Sequence, residues 1–162
     1  MAGGRRQRGT VVICGSMKSL DLMSRIASVI EDAGVQVVIP SPDNFHADSS
    51  AEVRNSRKRK ASRDHMNKIR SEDTAAILVV NVHRPDAANY IGPNSFAEIS
   101  VAFADDRKVF LLHGMPDAYL EELSAWGVHC LNGDVQPLLA EVSAPRPVDL
   151  DTWQTALQPE LV

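Results

Sequence analysis

At 162 residues, with 44% apolar and 23% charged positions, the chain has the size and mix of one globular domain, which excludes a disordered or fibrous protein. Its formal charge of −4 gives no overall pull toward nucleic acid or an anionic membrane, although eight of the seventeen Lys and Arg residues fall between Arg54 and Arg70. No apolar run approaches the roughly 18–20 residues that cross a bilayer.

The chain opens with a basic stretch, "MAGGRRQRG" (1–9), read as a tail outside the domain. The apolar run after it is too short for a secretory signal, and Ala2 excludes N-myristoylation, so a cytoplasmic protein is expected. "TVVICG" (10–15) is a continuous apolar run ending in glycine, the pattern of a buried parallel strand. From Ser19 to Gly34, Leu20, Met23, Ile26, Ala27 and Ile30 recur at helical spacing, with Gly34 as the stop. "VQVVIP" (35–40) predicts a second strand, closed by "PSPD". Residues 50–71 predict a long polar helix whose apolar contacts are Val53, Met66 and Ile69.

"AAILVVN" (75–81) is a third buried strand, and Ser95 to Asp106 a helix. "RKVFLL" (107–112) is a fourth strand, "DAYLEELSAWG" (117–127) a short helix and "VHCL" (128–131) a weak fifth strand. "DVQPLLAEVS" predicts a last helix interrupted by Pro137. The domain is therefore drawn over 10–143. In the 144–162 tail Leu150, Trp153, Leu157 and Leu161 form one apolar stripe, which packs on the domain or docks on a second subunit. Alternating strands and helices with apolar strands imply an α/β fold. The expectation is a doubly wound, Rossmann-like or flavodoxin-like domain, with a mainly parallel five-stranded sheet and helices on both faces.

Such sheets bind ligands at the carboxyl ends of their strands. Those ends are "CGSMKS", "PSPDNFH", "NVHRPDAANYIGPNS" and "HGMPD", which hold most of the chain's Gly, Pro, Asn and His. In "CGSMKS", Gly15 permits close backbone approach, and Ser16 with the free N–H groups of a helix start can hold an anion; an ordinary turn with a serine cap fits equally. The segment is neither GxGxxG nor a P-loop, so no dinucleotide cofactor is expected. In "GPNSFAE", Ser95-x-x-Glu98 matches a capping box, yet a carboxylate near a helix start at the ligand edge also suits a nucleophile. Cys14 and Cys130 have no metal-ligand spacing and read as small buried thiols; no metal site is expected. Arg54, Lys58 and His65 of the basic stretch can reach a phosphate, His46 is a further pocket candidate, and a solvated helix face is the simpler alternative. Without interleaved aromatics the stretch does not suggest nucleic-acid binding.

"VVICGSM" (11–17), "KIRSEDTAAILVVN" (68–81) and "YIGPNSFAEISVAFADDRKVFLL" (90–112) resemble the nucleoside 2-deoxyribosyltransferase-like superfamily, over roughly residues 10–135. The likeness is greatest to a bacterial branch with a "GSM…YIG.NSF.E" pattern. The resemblance implies cleavage of the N-glycosidic bond of a nucleoside or nucleoside 5′-monophosphate, by hydrolysis or transfer. Glu98 would attack the anomeric carbon. Asn94 and Ser95 would bind sugar hydroxyls or phosphate, and Tyr90 would stack on the base. Gly15, Ser16 and Met17 would form the opposite wall. Asn81 stands where many relatives carry an acid, and Gly92 where they carry a polar substrate contact. Relatives form dimers whose C-termini complete the partner's site, so a homodimer or higher oligomer is expected. The alternative is a nucleotide-binding or sensor module without turnover.

Overall fold

The computed structural model describes residues 9–42, 50–142 and 148–158. Five parallel strands form one sheet in the order β2-β1-β3-β4-β5: β1 Thr10–Gly15, β2 Gln36–Val38, β3 Thr74–Val80, β4 Lys108–Leu111 and β5 His129–Cys130. This is the flavodoxin-like order, and its direction reverses between β1 and β3.

Strand alternation sorts the core into two layers. Val11, Ile13, Leu78, Val80 and Phe110 face a cluster completed by α1 (Leu20–Asp32), α5 (Gln136–Val142) and α6 (Leu150–Leu157). Val12, Cys14, Ile77, Val79 and Leu111 face the other cluster, covered by α2 (Ala51–Arg70), α3 (Pro93–Ala104) and α4 (Leu120–Ala125). All seven residues of β3 are buried, as a strand covered on both faces requires.

Three local expectations change. Pro137 does not interrupt α5: it is the second residue of a continuous helix, where a backbone N–H has no intrahelical acceptor to lose. The long polar helix buries His65 and Ile69, whereas Val53 is exposed. The described part of the C-terminal tail forms α6, which packs on α1; Trp153 is buried and its Nε1–H donates to Gly133 O at 2.6 Å. Leu150 is exposed, and Leu161 lies outside the described residues, as do most of the basic N-terminal stretch and His46. Among the described residues, no helix is long and apolar enough to cross a membrane.

Candidate active site

β2 ends at Val38, opposite Val12, while β1 runs on to Gly15. The uncovered end of β1 opens beside the reversal of strand order, and a cavity of about 770 Å³ occupies that place. One wall is apolar, formed by Met17 and the segment Val38–Ile39–Pro40–Ser41–Pro42. The facing wall is α2, which contributes Arg57, Lys58, Lys60 and Lys68. Arg57, Ala61, His65 and Lys68 lie three or four residues apart, so one helix face looks into the cavity. Asp64 also lines it, in an ion pair with Lys60.

α3 supplies Asn94 and Glu98. Gly92 is its N-cap and Pro93 its first residue, a position that suits proline's fixed φ and missing N–H. Phe96 N therefore donates to Gly92 O at 3.0 Å, closing the first turn. This overturns the capping-box alternative. Ser95 is the third helical residue and Glu98 the sixth, and no side chain caps the helix. Glu98 instead sits at the cavity floor, its side chain 13% exposed.

Beneath the floor three side chains from three elements meet: Cys14 from β1, His65 from α2 and Glu98 from α3. Their sulfur, nitrogen and oxygen atoms all lie within 4.8 Å of one another. His65 Nε2 is 3.1 Å from Ile13 O, 3.7 Å from Cys14 Sγ and 4.0 Å from Glu98 Oε1. A carbonyl only accepts, so Nε2 carries the hydrogen. Burial lowers the His65 pKa, partly offset by that bond, so His65 is neutral near pH 7 and does not form an ion pair with Glu98. Burial also raises Glu98 from 4.5 to about 7, against a smaller lowering by the Cys14 thiol, which donates to the carboxylate. Burial, then the nearby carboxylate, holds the Cys14 thiol well above its usual range and keeps it protonated.

Of the residues expected at the site, Gly15, Met17, Lys58, His65, Asn94 and Glu98 line the cavity. Space at Gly15 is tight, since a Cβ there would meet Met23 Sδ at 3.2 Å and Val80 O at 3.3 Å. Ser16 turns to its own backbone, accepting from Lys18 N at 3.3 Å, and stays outside the lining. Ser95 is buried beneath the helix start, and Arg54 is exposed away from the cavity. Tyr90 and Gly92 also lie outside the lining; one face of the Tyr90 ring carries the Arg84 guanidinium, 3.6 Å from its centroid. Asn81 is fully buried and ties two loops together, donating to Gly114 O at 2.7 Å and accepting from His113 N at 2.9 Å. It is not part of the cavity lining.

Sequence reasoning placed the start of "PSPDNFH" at the ligand edge, where Pro40, Ser41 and Pro42 line the cavity, but missed Cys14 as a member of the site, and Arg57, Lys60 and Lys68. The helical spacing of Arg57, His65 and Lys68 carried the signal for α2. Nothing in the sequence signalled the meeting of residues 14, 65 and 98. No family model matches the chain, and no match was found among curated proteins or solved structures.

Proposed function

We propose that the protein cleaves the N-glycosidic bond of a nucleoside or nucleoside 5′-monophosphate, with Glu98 as nucleophile. One observation carries this reading. A carboxylate with a pKa of about 7 lies on the floor of a cavity that is apolar on one side and cationic on the other. In this reading the base packs against Met17, Val38 and Pro40, the phosphate pairs with Lys58 and Lys68, and the sugar lies over Glu98. The family resemblance over "GSM" and "YIGPNSFAE" points the same way.

In the proposed reaction an oxygen of ionised Glu98 bonds to C1′ as the C–N bond breaks, through an oxocarbenium-like transition state. The base leaves with the electron pair of that bond and takes a proton from solvent. Water, or a second base, then displaces Glu98 from C1′ and frees the carboxylate. With a pKa of about 7, roughly half of Glu98 is ionised at neutral pH, and only that fraction can attack C1′. The Cys14 thiol, donating to the carboxylate, aims it.

A binding module without turnover is the second reading. Asp64, the other carboxylate in the described lining, is paired with Lys60, and Asn81 holds loops, so among the described residues no unpaired acid stands beside the leaving base. Incubation with a panel of nucleosides and 5′-monophosphates, followed by chromatography for free base, separates the two. Base release by the wild-type chain and not by Glu98→Gln supports the enzyme. Tight binding without release supports the module.

A further inference from the structure

Three donors of different chemistry converge at the cavity floor, on elements far apart in the chain. Cys14 is fully buried, and the side chains of His65 and Glu98 are 9% and 13% exposed. The sulfur–nitrogen separation is 3.7 Å and the nitrogen–oxygen separation 4.0 Å. Tetrahedral zinc with bonds of 2.3 Å to sulfur and about 2.0–2.1 Å to nitrogen and oxygen needs edges of about 3.6 and 3.4 Å. The sulfur–nitrogen edge is already met, whereas the nitrogen–oxygen edge is about 0.6 Å too long and the sulfur–oxygen pair lies within 4.8 Å, so loading draws the Glu98 carboxylate inward. We propose that Cys14, His65 and Glu98 form a binding site for a divalent cation of the zinc or cobalt(II) kind, its fourth position open to the cavity.

Charge favours this assignment. A thiolate and a carboxylate balance a dication, and imidazole adds none, so the loaded site is neutral where an unbalanced charge would be costly. Mixed sulfur, nitrogen and oxygen ligation selects zinc or cobalt over magnesium or calcium, which take oxygen donors. His65 and Glu98 line the cavity and Cys14 lies behind them, so a water or ligand reaches the cation from the open side. Loading expels the thiol proton, and a carboxyl proton where Glu98 holds one. The imidazole hydrogen moves from Nε2 to Nδ1, freeing the Nε2 lone pair. That lone pair faces Ile13 O, 3.1 Å away, so loading also requires the imidazole to turn off this carbonyl toward Cys14 and Glu98.

Binding does not depend on the glycosidic reading. Where Glu98 is the nucleophile, the cation and the sugar compete for the same oxygen, and the metal is an inhibitor.

Titration of chelator-treated protein with Co²⁺ tests the site. One equivalent should produce a sulfur-to-cobalt charge-transfer band in the near ultraviolet, with the strong visible bands of tetrahedral cobalt. Cys14→Ser should abolish the charge-transfer band, while Cys130→Ser keeps it. Glu98→Gln should keep the band and weaken binding by about tenfold or more, since even groups behind the ligands of a metal contribute that much. No thiolate band at one equivalent overturns the proposal, as does a band that survives Cys14→Ser or disappears in Cys130→Ser. Unchanged affinity in Glu98→Gln removes the carboxylate from the site. An absence of base release leaves the cobalt titration unaffected, so the two readings fail separately.

Discussion

On one face of the sheet, α1, α5 and α6 close over Val11, Ile13, Leu78 and Phe110, with Trp153 sealing the layer. On the other face α2 buries only His65 and Ile69 among its 20 residues. Both faces receive alternate residues of the same strands, so the difference lies in the helices. α1 is strongly amphipathic and presents Met23, Ile26 and Ile30, whereas α2 faces the sheet with few apolar side chains. Where an apolar stripe is missing, the helix cannot close onto the sheet. The space left holds Glu98, His65 and the cations of α2. One face carries stability and the other carries the site.

The sharpest way to break that division is Glu98→Gln, which removes the charge and keeps the shape. Base release should fall by about 10³-fold or more if Glu98 is the nucleophile, with nucleotide binding retained. A glutamine variant with full turnover would leave Glu98 as a floor residue only. On the sealed face the expectation reverses. Trp153→Ala removes a buried ring and its bond to Gly133 O, at a cost of about 3–5 kcal/mol. Denaturant unfolding should show that loss while base release per folded molecule stays unchanged. A selective loss of turnover in Trp153→Ala would mean that the two faces are coupled.

The sealed face was legible in the sequence and the open one only in part. β1, β3 and α1 follow from apolar runs and helical spacing, because burial on a regular element leaves a periodic trace. Gly34, read as the stop of α1, follows that helix with a left-handed φ of 93°. Glu98 was singled out by its place at a ligand edge, and Lys58 and His65 by the charge run. The meeting of Cys14 with His65 and Glu98 left no linear trace, since it arises from the crossing of α2 and α3 over the end of β1. Asn81 and Tyr90 show the converse. Both lie on segments that reach the ligand edge, yet loop hydrogen bonds take one and Arg84 covers the other.

Acid–base linkage separates the two faces further. Glu98 has a raised pKa, so its stabilising contribution is fully present below the ordinary carboxyl range and is lost as pH rises through about 7. A rise from 4.5 to about 7, at about 1.4 kcal/mol per pH unit, sets a ceiling of about 3 kcal/mol. In the presence of a chelator, Glu98→Gln should therefore melt above the wild type at pH 8, with the gap closing toward pH 4.5. Turnover of the wild type should rise over the same interval, as the ionised form accumulates. Parallel melting curves for the two proteins across that range would show that Glu98 titrates as an ordinary carboxyl, which would remove the argument for a tuned nucleophile.

The smallest expected effect is on the α2 wall. Lys58 is exposed and lines the cavity, so Lys58→Ala removes a solvated cation and no packing. Stability should move by no more than about 0.5 kcal/mol, as for other surface substitutions. If the wall receives a phosphate, affinity for a 5′-monophosphate should fall by about three- to tenfold, the range of a charge-assisted contact partly screened by water. Affinity for the matching nucleoside should not change. Added salt should weaken binding of the monophosphate more in the wild type than in Lys58→Ala, because the variant has already lost part of the screened attraction. Calorimetric titration of both ligands at two salt concentrations gives all four comparisons. Equal wild-type affinity for nucleoside and monophosphate would mean that α2 stays open for solvation rather than recognition, leaving the floor residues as the whole of the site.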